Sequence, residues 1–192
     1  RSKNRTVVGD NCFIVSNCNI IAPLKIESNS YICAGTTVTN DVKEDDFVIG
    51  TIGRLEKQKN YSFLLDVFKE CLKITENCKL IIIGDGNLEK ELKRKAKKIN
   101  ILENVVFLTS DDVGVRGSAS KYYNCFDVFV LPSLYEGLPT VGIEAQICAL
   151  PCFFSDKITT EISITKNAHF LSLHESCETW AKYICDCKEM QN

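Results

Sequence analysis

Two cations, two carboxylates and a short glycine-proline stretch are the groups whose types and spacing could do chemistry in this chain. Arg54 and Lys59 follow directly on the apolar run Phe47-Val-Ile-Gly-Thr-Ile52, in the order Gly53-Arg54-Leu55 and then Lys59-Asn60. Fixed cations at the carboxy-terminal end of a strand suit an anionic ligand, above all one whose negative charge grows as a bond breaks. Glu136 and Glu144 stand with seven residues between them in Glu136-Gly-Leu-Pro-Thr-Val-Gly-Ile-Glu144. A carboxylate accepts well from two hydroxyls. Pro139 fits the first turn of a following helix and leaves the amides of Thr140, Val141 and Gly142 as donors at a positive helix end. Gly137 lets another backbone or a ligand come close. On the nonapeptide alone, Glu136 as a turn residue and Glu144 as a solvated helix residue fit equally well. Gly84 and Gly86, in Ile83-Gly-Asp-Gly86, either line a ligand site or make a tight turn between strand and helix.

The elements that must hold these groups are legible from periodicity. Phe47–Ile52 reads as a buried strand, Asn60–Thr75 has helical spacing through Phe63, Leu64, Val67, Phe68 and Leu72, and Leu80–Ile83 is a second strand. The alternation continues with a charged helix over Leu88–Lys98, a strand over Val105–Leu108, a helix near Ser120–Cys125 and a strand over Val128–Leu131. A helix over Pro139–Cys148, short strands near Cys152–Phe154 and Phe170–Leu171, and a helix over Cys177–Met190 complete it. Strand and helix taking turns predicts a parallel sheet with helices on both faces. The basic run from Lys90 to Lys98 falls toward the end of its helix, where cations suit the macrodipole, and reads as solvated surface.

Before residue 47 the pattern is of another kind. Val8, Ile14, Ile20, Ile26, Ile32 and Val38 recur every six residues. That beat fits neither an amphipathic helix nor a simple alternating strand, but it suits short strands stacked with turns between them, as in a parallel β-helix. It stops at a charged, turn-like run from Asp41 to Asp46.

Composition narrows the class. With 45% hydrophobic residues over 192 positions the chain can bury a core, and 23 basic against 25 acidic residues give no field that would draw in nucleic acid. Eleven cysteines, an odd count without a CxxC pair or zinc-like spacing, imply reduced thiols and no metal. No apolar run approaches the ~20 residues that span a bilayer. The expectation is a cytoplasmic protein, with peripheral association at the inner membrane face left open.

Residues from about 47 to 192 resemble the carboxy-terminal domain of GT-B glycosyltransferases of family 4, in particular those of capsular and exopolysaccharide synthesis. The resemblance rests on Gly53-Arg54-Leu55 with Lys59-Asn60, Ile83-Gly84-Asp85-Gly86, Asp127-Val-Phe-Val-Leu-Pro-Ser133 and the Glu136–Glu144 nonapeptide, in that order. It implies a Rossmann-like α/β fold and the donor half of a retaining glycosyltransferase of the hexosyltransferase class. The implied ligand is a nucleotide-diphosphate sugar, UDP- or GDP-linked, with no cofactor. Arg54 and Lys59 would hold the diphosphate, Glu144 the ribose, and Glu136, the catalytic residue, would sit beside the sugar. Gly137, Leu138, Thr140 and Val141 would complete the donor site. The chain departs from the family at Ala149, where a glycine usually ends the helix before Leu150-Pro151, which puts that helix cap in doubt.

Residues 1–46 resemble the left-handed β-helix of hexapeptide acyltransferases, nearest the acetyltransferase end of the bifunctional N-acetylglucosamine-1-phosphate uridyltransferases. In that family Ser16 and Ala34 would lie beside acetyl-CoA and Lys3 near the active site, while the histidine base falls upstream of this segment. Both histidines, His169 and His174, belong to the other segment. The family builds its sites between subunits of a trimer, so a trimer through this segment is an expectation. The chain therefore reads as a chimera of two domains, 1–46 and 47–192. The GT-B acceptor-binding half has no counterpart in it, so little or no transfer by the chain alone is expected, and the acceptor is not identified. The alternatives are a non-catalytic sugar-nucleotide-binding module oligomerised by the β-helix, and an acyltransferase fragment.

Overall fold

A computed structural model describes residues 6–10, 12–14, 19–20, 24–26, 31–32, 37–38, 47–75, 77–109 and 120–190. Lys3, Ser16, Ala34 and the charged run 41–46 lie outside these described residues. The six-residue beat becomes six two-residue strands, each ending on a beat residue: β1 (Val7–Val8), β2 (Phe13–Ile14), β3 (Asn19–Ile20), β4 (Lys25–Ile26), β5 (Tyr31–Ile32) and β6 (Thr37–Val38). Val8 pairs with Ile26, Ile14 with Ile32 and Ile20 with Val38, all in parallel, so each strand meets the one three beats later. Ile26 and Ile32 are buried, whereas Val8 and Ile14 are exposed.

The remainder alternates as its periodicity predicts. β7 (Phe47–Ile52), α1 (Tyr61–Ile74), β8 (Cys78–Ile83), α2 (Glu89–Lys98), β9 (Val105–Leu108), α3 (Ser120–Tyr123), β10 (Val128–Leu131), α4 (Thr140–Ile147), β11 (Cys152–Ser155), β12 (Ala168–Leu171) and α5 (Cys177–Met190) follow in order. The sheet runs β12-β11-β10-β7-β8-β9 with every neighbouring pair parallel. Strand order therefore reverses between β7 and β10, the doubly wound arrangement in which ligands bind beyond the carboxyl ends of the strands at the reversal. β10 and β11 are buried at all four of their positions, as strands covered on both faces must be.

Each face has its own core. One gathers Phe47, Ile49, Leu64, Phe68, Leu80 and Trp180 under α1, α2 and α5; the other gathers Ile52, Tyr123, Phe129, Phe154 and Ile162 around α3 and α4. Trp180 packs edge-on to Phe63 at 5.5 Å, and its indole N–H donates to the Ser172 carbonyl at 2.9 Å. Asp127 ties the start of β10 to β7: its carboxylate accepts from the Val48 N–H at 2.7 Å and its own N–H donates to the Val48 carbonyl at 2.9 Å. Gly84, at φ +148, carries the end of β8 so close to β7 that a Cβ there would stand 2.1 Å from the Gly53 carbonyl oxygen. This contact assigns Gly84 to close backbone approach.

Three expectations change in detail. Lys95, within the basic run taken as solvated, instead ties α2 to α1 through Asp66 at 2.6 Å and the Ser62 hydroxyl at 2.8 Å. Cys125 is held in a disulfide, a departure from thiols reduced throughout, while eight other described cysteines are not disulfide-bonded. The cap of α4 survives its missing glycine. Ala149 adopts φ +61, its N–H donates to the Gln146 carbonyl at 3.0 Å, and the Leu150 N–H reaches the Ala145 carbonyl at 3.2 Å. Together these make a complete Schellman motif with alanine in the left-handed position. Gln146, buried on the same helix, donates to the carbonyls of Gly142 and Ile162 and accepts from the N–H groups of Ile164 and Thr165 and from the Thr165 hydroxyl.

An L-residue pays strain in that left-handed position that glycine does not. Ala149→Gly should stabilise the protein by about 1 kcal/mol, read as a rise in the urea midpoint at unchanged m-value. Loss of stability would show that the backbone relieves the strain in some other way.

Candidate donor site at the strand reversal

The chain leaves β7 at Ile52 and β10 at Leu131, on either side of the reversal, and the two connections are stitched together. After β7 a one-turn 3-10 helix, Lys57–Lys59, presents Gln58 and Lys59. The Leu134 N–H donates to the Gln58 carbonyl at 2.8 Å, and the Gln58 side-chain amide donates to the Tyr135 carbonyl at 3.0 Å. Glu136 sits where these strands of loop meet. Its Oε1 accepts from Lys59 Nζ at 2.5 Å and from the Ser133 hydroxyl at 2.9 Å, and its Oε2 from Gln58 Nε2 at 3.2 Å. Behind it the Ser155 hydroxyl donates to the Ser133 carbonyl at 2.5 Å, and Glu136 bridges to Ile158.

The Lys59–Glu136 pair is nearly sealed, with side-chain exposures of 12% and 9%. Gly53 makes room for it, since a Cβ at that position would lie 3.1 Å from Lys59 Cε and 2.9 Å from the Tyr61 hydroxyl. Arg54 is the contrasting cation. Its side chain is 72% exposed, and its ion pair among the described residues is with its near neighbour Glu56, at 3.0 Å. In water a pair of that kind contributes little, so the guanidinium can turn to an incoming anion at small cost.

α4 begins one residue later than expected. Pro139 is its N-cap, with ψ 107, and Thr140 is its first helical residue. The Gly142 N–H donates to the Pro139 carbonyl at 3.0 Å, which removes Gly142 from the expected set of open amides. Thr140 and Val141 remain in the helix's first turn, where N–H groups lack intrahelical acceptors. Gly137 and Leu138 are exposed, and a Cβ on Gly137 would meet nothing within 4 Å. No packing among the described residues demands glycine there. Glu144 is exposed on α4, and its Oε2 accepts from the Tyr123 hydroxyl at 2.8 Å.

The structure thus joins Lys59 directly to Glu136, leaves Arg54 exposed on the connection after β7, and anchors Glu144 through a buried phenol. Sequence reasoning missed Gln58, Ser133 and Tyr123. Ser133, three residues before Glu136, was inside a quoted motif without a role. Tyr123 carried no signal beyond an aromatic in a helical stretch.

Residues 38–191 match the family profile described as "Glycosyl transferases group 1". The chain belongs to that family. The match begins inside the six-residue beat, at its last member, Val38. The group 1 region is 36% identical over 148 residues to the putative glycosyltransferase EpsF of Bacillus subtilis strain 168, covering 74% of this chain and 36% of that protein. The amylovoran biosynthesis glycosyltransferase AmsD of Erwinia amylovora is 37% identical over 127 residues, covering 66% of this chain and 34% of that protein. The chain therefore spans about a third of the length of these curated relatives. A shorter likeness, 47% over 49 residues, covers 26% of this chain and 11% of the bifunctional protein GlmU of Clostridium novyi strain NT. Among solved structures, Anabaena Alr3699/HepE in complex with UDP superposes at a TM-score of 0.65, with 21% identity over 77% of this chain and 40% of that one. At that identity the likeness is one of fold.

Removing one member of a nearly buried ion pair strands the other. Glu136→Ala should destabilise the group 1 domain by about 3 kcal/mol, and Lys59→Ala by a comparable amount. The double variant should lose less than the two singles together, with a coupling of about 1–3 kcal/mol in urea denaturation. Additive losses would mean that solvent screens the pair.

Proposed function

We propose that residues 47–192 are the donor-binding half of a retaining GT-B glycosyltransferase that uses a UDP- or GDP-linked sugar in polysaccharide synthesis. The observation that carries this reading is the meeting of Lys59 and Glu136 at the strand reversal, with Arg54 exposed on the same connection after β7 and Glu144 on the helix that follows. In the reaction the bond from the anomeric carbon to the diphosphate oxygen breaks with its electron pair going to the diphosphate. An acceptor hydroxyl oxygen takes its place on the same face and passes its proton to the departing diphosphate oxygen. Arg54, Lys59 and the amides of Thr140 and Val141 meet the growing charge on the leaving group, in the manner of fixed donors that need no reorganisation. Glu136 lies beside the sugar, and Glu144 takes the ribose hydroxyls. Leu138 packs against the donor, and Gly137 lets the diphosphate approach the backbone.

Among the solved structures of like fold, several are complexes with UDP or UDP-glucose, which supports uridine as the base to test first. AmsD, by its name a glycosyltransferase of amylovoran biosynthesis, supports a polysaccharide product. The acceptor side of the cleft would come from protein outside this chain. For the first segment, the parallel pairing of each strand with the one three beats later supports a left-handed β-helix, which in a trimer would gather three donor sites. A second reading is a sugar-nucleotide-binding module without turnover, oligomerised by that β-helix. Assays of transfer and donor hydrolysis separate the two.

Calorimetric titration of the whole chain with UDP and a UDP-sugar tests the binding reading. Arg54→Ala should weaken UDP binding by roughly 10-fold or more, the value of a hydrogen bond to a charged group. Gly137→Ala should change stability by less than about 0.5 kcal/mol yet weaken both ligands, because its added methyl meets only the ligand. Glu136→Gln should spare UDP and weaken only the UDP-sugar. If GDP and UDP both fail to bind the parent, the donor-site reading is wrong.

A further inference from the structure

Glu144 is exposed, and an exposed glutamate on a helix samples several rotamers. Here one oxygen is already committed. The Tyr123 hydroxyl donates to Glu144 Oε2 at 2.8 Å and lies 3.1 Å from the Val141 carbonyl oxygen. The phenol has one proton to give, and the charged acceptor takes the stronger bond. The ring cannot follow a moving carboxylate. Tyr123 is fully buried, edge-on to Phe126 at 6.1 Å and tilted on Phe129 at 6.0 Å, so the glutamate must come to the phenol. Burial first, and then the hydrogen bond and charge of Glu144, raise the phenol's ionisation far above its ordinary value. It therefore remains a donor wherever the protein is folded.

We propose that Tyr123 is a positioning residue for the donor site: it holds Glu144 in one rotamer, with Oε1 presented to the ribose hydroxyls of the nucleotide. The proposal rests on the reading of Glu144 as the ribose carboxylate. Preorganising an acceptor in this way spares the ligand the cost of ordering it. Tyr123 would act through Glu144 without touching the nucleotide, and its effect should appear only with ligands that carry ribose hydroxyls.

The test uses the whole chain with UDP and 2′,3′-dideoxy-UDP as paired probes. The parent should prefer UDP, and Glu144→Ala should erase that preference. Tyr123→Phe keeps the ring, so its fold should survive, checked by thermal melting. It should weaken UDP by roughly 3- to 10-fold, less than the full value of a charge-assisted hydrogen bond because the loss acts only through the ordering of Glu144, and leave the dideoxy ligand within about 2-fold. In the Glu144→Ala background Tyr123→Phe should have no further effect, because the two residues act as a unit. Equal weakening of both probes, or of neither, while the parent still discriminates and Glu144→Ala abolishes the preference, overturns the role of Tyr123 alone. A parent that does not discriminate, or a Glu144→Ala variant that still does, overturns the ribose reading and this proposal with it.

Discussion

β7 is hydrogen-bonded along one edge to β8 and along the other to β10, and the chain reaches those two neighbours by connections that run opposite ways across the sheet. Loops leaving the carboxyl ends of β7 and β10 must part, and the gap between them opens without any residue being spent on making a cavity. The rest of the site depends on this constraint. Asp127 fixes the far end of the same strand pair by gripping both backbone groups of Val48, so the register that aims the loops is set away from the ligand end. Gly84 lets the β8 turn close against Gly53 at the carboxyl end of β7.

Within that gap the Lys59–Glu136 pair carries an energetic tension. Two charges removed from water are held by each other, by Ser133 and by Gln58, and the arrangement is favourable only while every partner is present. An anionic ligand drawn to Lys59 would compete with Glu136 for the same ammonium. The serine and the glutamine then keep the carboxylate supplied with donors. This gives the two neutral residues a reason to be there that neither turn geometry nor packing provides.

The fold was largely legible because its signals were local. The buried runs at Phe47–Ile52 and Val128–Leu131, and the helical spacing from Phe63 to Leu72, fixed strand and helix in chain order. The beat from Val8 to Val38 likewise marked the six short strands. The residues proposed for the donor site, Arg54, Lys59, Glu136 and Glu144, stood out for the same reason. What escaped was tertiary. Lys95 sits in a run of cations that propensity alone sends to solvent, yet α1 offers it Asp66 and Ser62. Tyr123 looks like core from its neighbours, and only the packing of α3 against α4 shows that its hydroxyl serves a surface carboxylate. Ala149 shows a rule bending. The Schellman bonds and the burial of Leu150 hold the cap together although the residue at its turn is not the one that favours it.

Gln146 has a consequence for how this region can change over generations. Its amide answers two carbonyls and three donors at once, and two of those donors are backbone groups of the turn at Ile164 and Thr165. Glutamate would offer acceptors where two donors are required, lysine would offer donors where an acceptor is required, and an aliphatic side chain would offer neither. None of these substitutions satisfies the turn as it stands, and a turn rerouted away from the amide would leave its oxygen without these three donors. The helix that bears Glu144 and the loop beyond β11 are therefore bound to drift together or not at all.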